Sequence, residues 1–238
     1  MSDLTRREAL GALAVASAAL ATARAEAAPV ISPAPAYAGA HALKPLPFDP
    51  AMLPGLSERL LRSHHENNYG GALKRLNAIE QQLGALAAEA PPFAWGSLKR
   101  EEALARNSVV LHELYFANLG GSGAARGAVE AAIAAEYGSL AAWESDFRRT
   151  ALALGGGAGW VVLAVDAASQ RVHNWWSWDH LHQAAATTPL LVLDMYEHSY
   201  ALDYGADAKR YVDAFFANVR WEEVGRRLAL RSGQAARE

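Results

Sequence analysis

The chain has 238 residues, 52% hydrophobic and 20% charged, enough to bury a sizeable core and too apolar for a disordered protein. Its formal charge of −3 argues against nucleic acid as a main partner. Cysteine is absent, which excludes disulfides, thiolate metal sites, iron–sulfur clusters and a cysteine nucleophile, so any metal must be held by nitrogen and oxygen.

Thr5-Arg6-Arg7-Glu8-Ala9-Leu10 sets an arginine pair before an alanine-rich apolar run that ends near Ala23, followed by the small-residue site Ala25-Glu26-Ala27. This is the layout of a cleavable export signal over residues 1–27, and the adjacent arginines point to the twin-arginine route, which carries folded proteins. The run is shorter than the roughly 20 residues of a membrane span, and no later segment qualifies. The expectation is a periplasmic or secreted protein with no membrane insertion once the signal is removed. Pro29, Pro33, Pro35, Pro45 and Pro47 then predict a leader over 28–45 that is extended and cannot be helical.

From Ser57, a suitable N-cap, Leu56, Leu60, His64, Asn68, Ala72, Leu76, Ile79 and Leu83 follow steps of three and four, one face of a long helix. His65 lies about 100° round that helix, so the stripe selects His64 as the inward histidine, and Tyr69 falls off the stripe. Gly70-Gly71 could kink the helix. After Pro91-Pro92, a second helix over 98–119 presents Leu104, Ser108, His112, Tyr115 and Leu119 on one face. The two pack as a helical hairpin domain over 46–120, and Gly120-Gly121-Ser122-Gly123 marks the boundary to a C-terminal α/β domain over 121–238.

In that second part, residues 127–137 and 139–154 read as helices, the latter with Trp143 and Phe147 spaced for burial. Residues 160–165 and 171–176 are rich in β-formers around a turn, and a third apolar run, 190–193, ends at Asp194. Helices return over 206–219 and 221–230. The fold class is therefore α+β: an N-terminal helical hairpin, then a mixed domain with a small three-stranded antiparallel sheet flanked by helices.

Asp194-Met195-Tyr196-Glu197-His198 places a carboxylate at the end of a buried strand and an imidazole four residues on, a spacing that is weak evidence alone. His64 and His112 add imidazoles on facing helices, and a histidine on an apolar stripe needs a polar partner. Each one singly is more often a hydrogen-bonded core residue. Together, three imidazoles and a carboxylate suit a first-row transition ion better than calcium or magnesium, which prefer oxygen.

The segments Ser63-His64-His65, Leu111-His112-Glu113-Leu114-Tyr115-Phe116, Gly159-Trp160 and Asp194 to Tyr200, in that order, resemble the iron/manganese superoxide dismutase family from about Leu46 to Leu230. The resemblance implies conversion of superoxide to dioxygen and hydrogen peroxide at one Fe or Mn ion per subunit, with His64, His112, Asp194 and His198 as ligands. It also implies a homodimer, in which Glu197 reaches the partner's last histidine ligand. Trp160 and Tyr196 fall beside the ligands, Tyr196 where the family usually has tryptophan.

The same comparison marks departures. Where the family has a gating tyrosine eight residues after the first ligand, this chain has Ala72, and the pair expected across the dimer interface is replaced by Asn68 and Ala201. Tyr69 could supply a phenol nearby. The residue that hydrogen-bonds metal-bound solvent falls near His180, with Trp178 or His182 as alternatives, and the arginine that steers the anion falls on Ala208, beside Lys209 and Arg210. These losses leave open a non-catalytic metal-binding or interaction module on the same fold. A zinc hydrolase fits less well, because catalytic zinc usually spends three protein ligands and keeps a fourth position open.

Overall fold

The computed structural model describes residues 34–125 and 127–231. The export signal expected over residues 1–27 lies outside them, as do residues 28–33 of the leader and the last seven residues. The described part of the leader contains one 3₁₀ turn, Pro35–Tyr37, so the expected absence of helical structure fails there. Proline at the first position of such a turn lacks only an N–H that would have gone unpaired.

Helix α1 (Glu58–Ser63) starts at Ser57, whose hydroxyl accepts the Leu60 N–H at 3.1 Å. It runs into a π-helical turn, His64–Tyr69, and continues as α2 (Gly70–Ala85). The wider turn advances the buried face by one position. The inward residues are His64, Tyr69, Leu73, Leu76, Ile79 and Leu83, whereas Asn68 and Ala72 are only half-buried. Two readings change as a result: Tyr69 is inside the core at 1% exposure, and His65 is buried beside His64.

Helix α3 spans Pro92–Ala117, beginning six residues before the expected 98 because Pro92 opens the helix instead of closing the connection. Helices α4 (Ala128–Tyr137) and α5 (Leu140–Leu152) follow, separated by left-handed Gly138 and capped by Ser139, whose hydroxyl accepts the Ala142 N–H. Trp143 of α5 is fully buried, and its indole N–H donates to Asn174 Oδ1 at 2.8 Å, seating the helix on the sheet.

The sheet has three antiparallel strands, β1 (Trp160–Asp166), β2 (Val172–Ser177) and β3 (Thr187–Asp194), in the order β2-β1-β3. The β1–β3 register shifts between Leu163 and Ala164, which pair with Leu191 and Pro189 and so bulge Leu190 out of the ladder. Beyond the bulge, Trp160 stands opposite Asp194. Gly159 makes that alignment: its φ is +142°, its carbonyl accepts the Met195 N–H at 2.9 Å, and a Cβ there would collide with the carbonyl of Ser177. Gly159→Ala should lower stability by about 1–3 kcal/mol, read by denaturant unfolding, because both the backbone and the contact must yield.

After β3 come a 3₁₀ turn, Glu197–Ser199, and three helices: α6 (Ala201–Tyr204), α7 (Ala208–Ala217) and α8 (Trp221–Arg231). The last two match the expected pair, whereas the turn and the short α6 carry no periodic signal in the sequence.

Candidate metal centre

Four elements meet at one buried point. His64 comes from the π turn, His112 from α3, Asp194 from the end of β3 and His198 from the following 3₁₀ turn, and one ligand atom from each lies within 4.8 Å of all the others. Asp194 Oδ2 is at the centre, 3.1 Å from His64 Nε2, 3.1 Å from His198 Nε2 and 3.6 Å from His112 Nε2. His64, His112 and Asp194 are buried, and the His198 side chain is 26% exposed. All four residues named from the sequence are thus brought together.

The neighbours orient each donor. His112 Nδ1 donates to the Ser108 carbonyl at 2.7 Å, which leaves Nε2 as a bare lone pair facing the cluster. The Tyr196 N–H holds Asp194 Oδ1 at 2.8 Å, so Oδ2 is the oxygen free to point at the histidines. The backbone carbonyl of Asp194 accepts the hydroxyl of Tyr211 at 2.8 Å. Buried Asn118 links α3 to β3: its Oδ1 accepts the Val192 N–H at 3.0 Å and its amide donates to the Leu190 carbonyl. Sequence periodicity gave no sign of Asn118 or Tyr211, since a polar side chain that satisfies a distant backbone leaves no local pattern.

Charge and burial prepare the site for a cation. Burial lowers the pKa of His64, and it lowers that of His112 to about 3, with the nearby His64 adding to the effect. Both rings therefore stay neutral at neutral pH. Burial opposes the charge on Asp194, but His198 and the hydrogen bonds from His198 and His64 outweigh it and hold the carboxyl well below the usual range. The fit to an ion rests on His112 Nε2, which among the described residues is buried with no hydrogen-bond partner. Leaving such an acceptor unpaired costs about 1–3 kcal/mol, which a bound cation removes. Donors this close suit metal–ligand bonds of about 2 Å, and three neutral imidazoles with one carboxylate suit iron or manganese.

Around the ligands stands a shell of rings. Trp160 meets His112 edge-on at 5.1 Å, and its indole N–H donates to His180 Nδ1 at 3.0 Å. His180 stacks on Tyr196 at 4.8 Å, and Tyr196 stacks on His198 at 5.3 Å. Trp178 and His182, the alternatives to His180, instead stack on each other at 4.0 Å, with Trp178 exposed. Tyr69 lies 6.3 Å from His112, its hydroxyl donating to Glu113 at 2.9 Å, and burial pushes its pKa up to about 12. Ala208 is buried, Ala201 is exposed, and the Arg210 guanidinium lies over the Tyr204 ring at 5.5 Å.

Fold and site together define a mononuclear transition-metal protein with an all-nitrogen-and-oxygen ligand set. Residues 125–227 match the family described as iron/manganese superoxide dismutases, C-terminal domain. The chain is 51% identical over 190 residues to the iron superoxide dismutase of Cupriavidus metallidurans, covering 79% of this chain and 96% of that protein. It is 32% identical over 212 residues to the iron enzyme of Aquifex pyrophilus, covering 84% and 98%. It is also 35% identical over 193 residues to manganese superoxide dismutase 2 of Haloferax volcanii, covering 79% and 94%. The chain belongs to the iron/manganese superoxide dismutase family.

Proposed function

We propose that this protein converts superoxide to dioxygen and hydrogen peroxide at a single iron or manganese ion held by His64, His112, Asp194 and His198. The observation that carries the reading is the buried four-donor cluster with its unpaired His112 Nε2. A bound iron or manganese ion supplies the one-electron redox chemistry that dismutation needs. The chain's own residues do the rest. Asp194 offsets part of the cation's charge, and Ser108 fixes the tautomer of His112. Because Trp160 donates to His180 Nδ1, the proton of a neutral His180 ring sits on Nε2, which makes it a hydrogen-bond donor beside the ligands. His180 stacks on Tyr196 and Tyr196 on His198, so the three rings form one stack that ends on a ligand.

The same proposal includes export and pairing. Export rests on the arginine pair and apolar run of the first 27 residues, and among the described residues no helix is long and apolar enough to cross a membrane. A homodimer rests on Glu197, which is exposed and adjoins His198, the most exposed ligand. The activity is tested by superoxide disappearance with protein loaded with iron or manganese, and full occupancy without activity would reject it. Glu197→Ala should shift sedimentation from dimer toward monomer, whereas an unchanged sedimentation profile would remove Glu197 from the interface.

A further inference from the structure

The geometry points to Lys44 as a positioning residue of the metal centre: it grips the residues that directly follow two ligand histidines and so sets the spacing of the helices that carry them. His65 follows His64, and its Nε2 lies 2.7 Å from the Lys44 carbonyl. Glu113 follows His112, and its carboxylate pairs with Lys44 Nζ. Tyr69 closes the ring between them: its oxygen accepts the Lys44 backbone N–H at 3.2 Å, and its hydroxyl donates to Glu113 at 2.9 Å. The Tyr69 ring lies nearly parallel to that of His112, at 24°. One residue of the leader therefore reaches both N-terminal ligands through their chain neighbours.

Lys44 is itself anchored. The Asn77 side chain bonds both the N–H and the carbonyl of His41 at 2.9 Å, and His41 Nε2 lies 2.9 Å from both carboxylate oxygens of buried Glu80. The Gln81 amide donates to the Gly39 carbonyl at 3.1 Å. Gly39 has φ +55°, and a Cβ there would strike the Asn77 carbonyl, so only glycine allows the strap to lie this close to α2. Residues 39–44 thus form a strap fixed to α2 at one end and to the π turn and α3 at the other. The His64 and His112 rings it spaces are 5.0 Å apart.

The exposed Lys44–Glu113 pair contributes little to stability on its own, about 0–1 kcal/mol, so the effect belongs to the ion and not to the fold. The inference rests on the metal centre and not on turnover, so a protein that binds the ion but consumes no superoxide can still be tested. The experiment follows loss of the ion from metal-loaded protein to excess chelator, with the ligand-field or electron paramagnetic resonance spectrum of the bound ion as a second readout. The variants are Lys44→Met, Tyr69→Phe, the double variant, and Lys99→Met as a control, since Lys99 pairs with Glu102 within α3. Tyr69→Phe should release the ion about tenfold faster and Lys44→Met about threefold faster, both with an altered spectrum. The double variant should release it no faster than Tyr69→Phe, since both side chains act by holding the Glu113 carboxylate, and Lys99→Met should match the parent. Parent-like release and spectra in Lys44→Met and Tyr69→Phe, or effects that multiply in the double variant, would overturn the proposal. If Tyr69→Phe does not fold, the same cycle with Glu113→Gln in its place decides by the same criteria.

Discussion

His112→Ala is expected to lose the ion and the activity together. The substitution removes the one ligand nitrogen whose lone pair faces the cluster without a hydrogen bond, while leaving Ser108 and the other three donors in place. Three donors in a cavity shaped for four bind a first-row ion far more weakly, and the rate of superoxide loss should fall at least about a thousandfold, or about 4 kcal/mol in the barrier. Fold stability should change less than function. The parent should unfold at a higher temperature when iron or manganese is added, because binding to the folded state alone stabilises it, and the variant should show no such rise. Elemental analysis alongside a thermal scan reads both effects. Stoichiometric metal retained in the variant would remove His112 from the ligand set.

Asn118→Leu is expected to cause a large loss of stability. Asn118 is fully buried at the end of α3, where its Oδ1 accepts from Val192 N–H and from Arg227 Nη1 at 3.3 Å. Leucine fills similar space but leaves the strand N–H without an acceptor and strips one contact from a buried guanidinium. Arg227 keeps the Leu190 carbonyl at 2.8 Å and Glu223 at 3.0 Å, so the charge is not abandoned. The cost is about 3 kcal/mol, which for a domain of this size lowers the melting temperature by about 6–12 °C. Because Asn118 joins the helix of His112 to the strand of Asp194, metal affinity should fall with it. Thermal unfolding of the metal-free and metal-loaded forms separates the two effects: equal losses in both would confine Asn118 to the fold.

The sequence showed the parts of the site that follow regular periods. The stripe from Leu56 to His64 and the face of α3 through His112 predicted two inward histidines, and the apolar run into Asp194 predicted the strand that delivers the carboxylate. The assembly of all four ligands drew on the family resemblance, because nothing in a helical or strand period says which elements meet. The π turn could not be read in this way. Its wider pitch breaks the 3.6-residue count between His64 and Tyr69, which brought Tyr69 and His65 into the core and moved the buried face from Ala72 to Leu73. The strap went unread for a different reason, since the prolines of the leader describe its backbone and not what its side chains grip.

The departures at Asn68, Ala72 and Ala201 now have positions. The first two sit half-buried just past the ligand face and the third is exposed, so none of them removes a donor from the cluster. Tyr69, one of the buried phenols near the ligands, is held by Glu113 and Lys44 instead of standing free as a gate.

The most direct test is the metal content and superoxide-consuming rate of the same purified sample. One ion of iron or manganese per chain, with a rate that rises in proportion to occupancy, is the predicted result. A sample that folds with zinc or no metal at the site, or that is fully loaded with iron or manganese and leaves superoxide untouched, would contradict it.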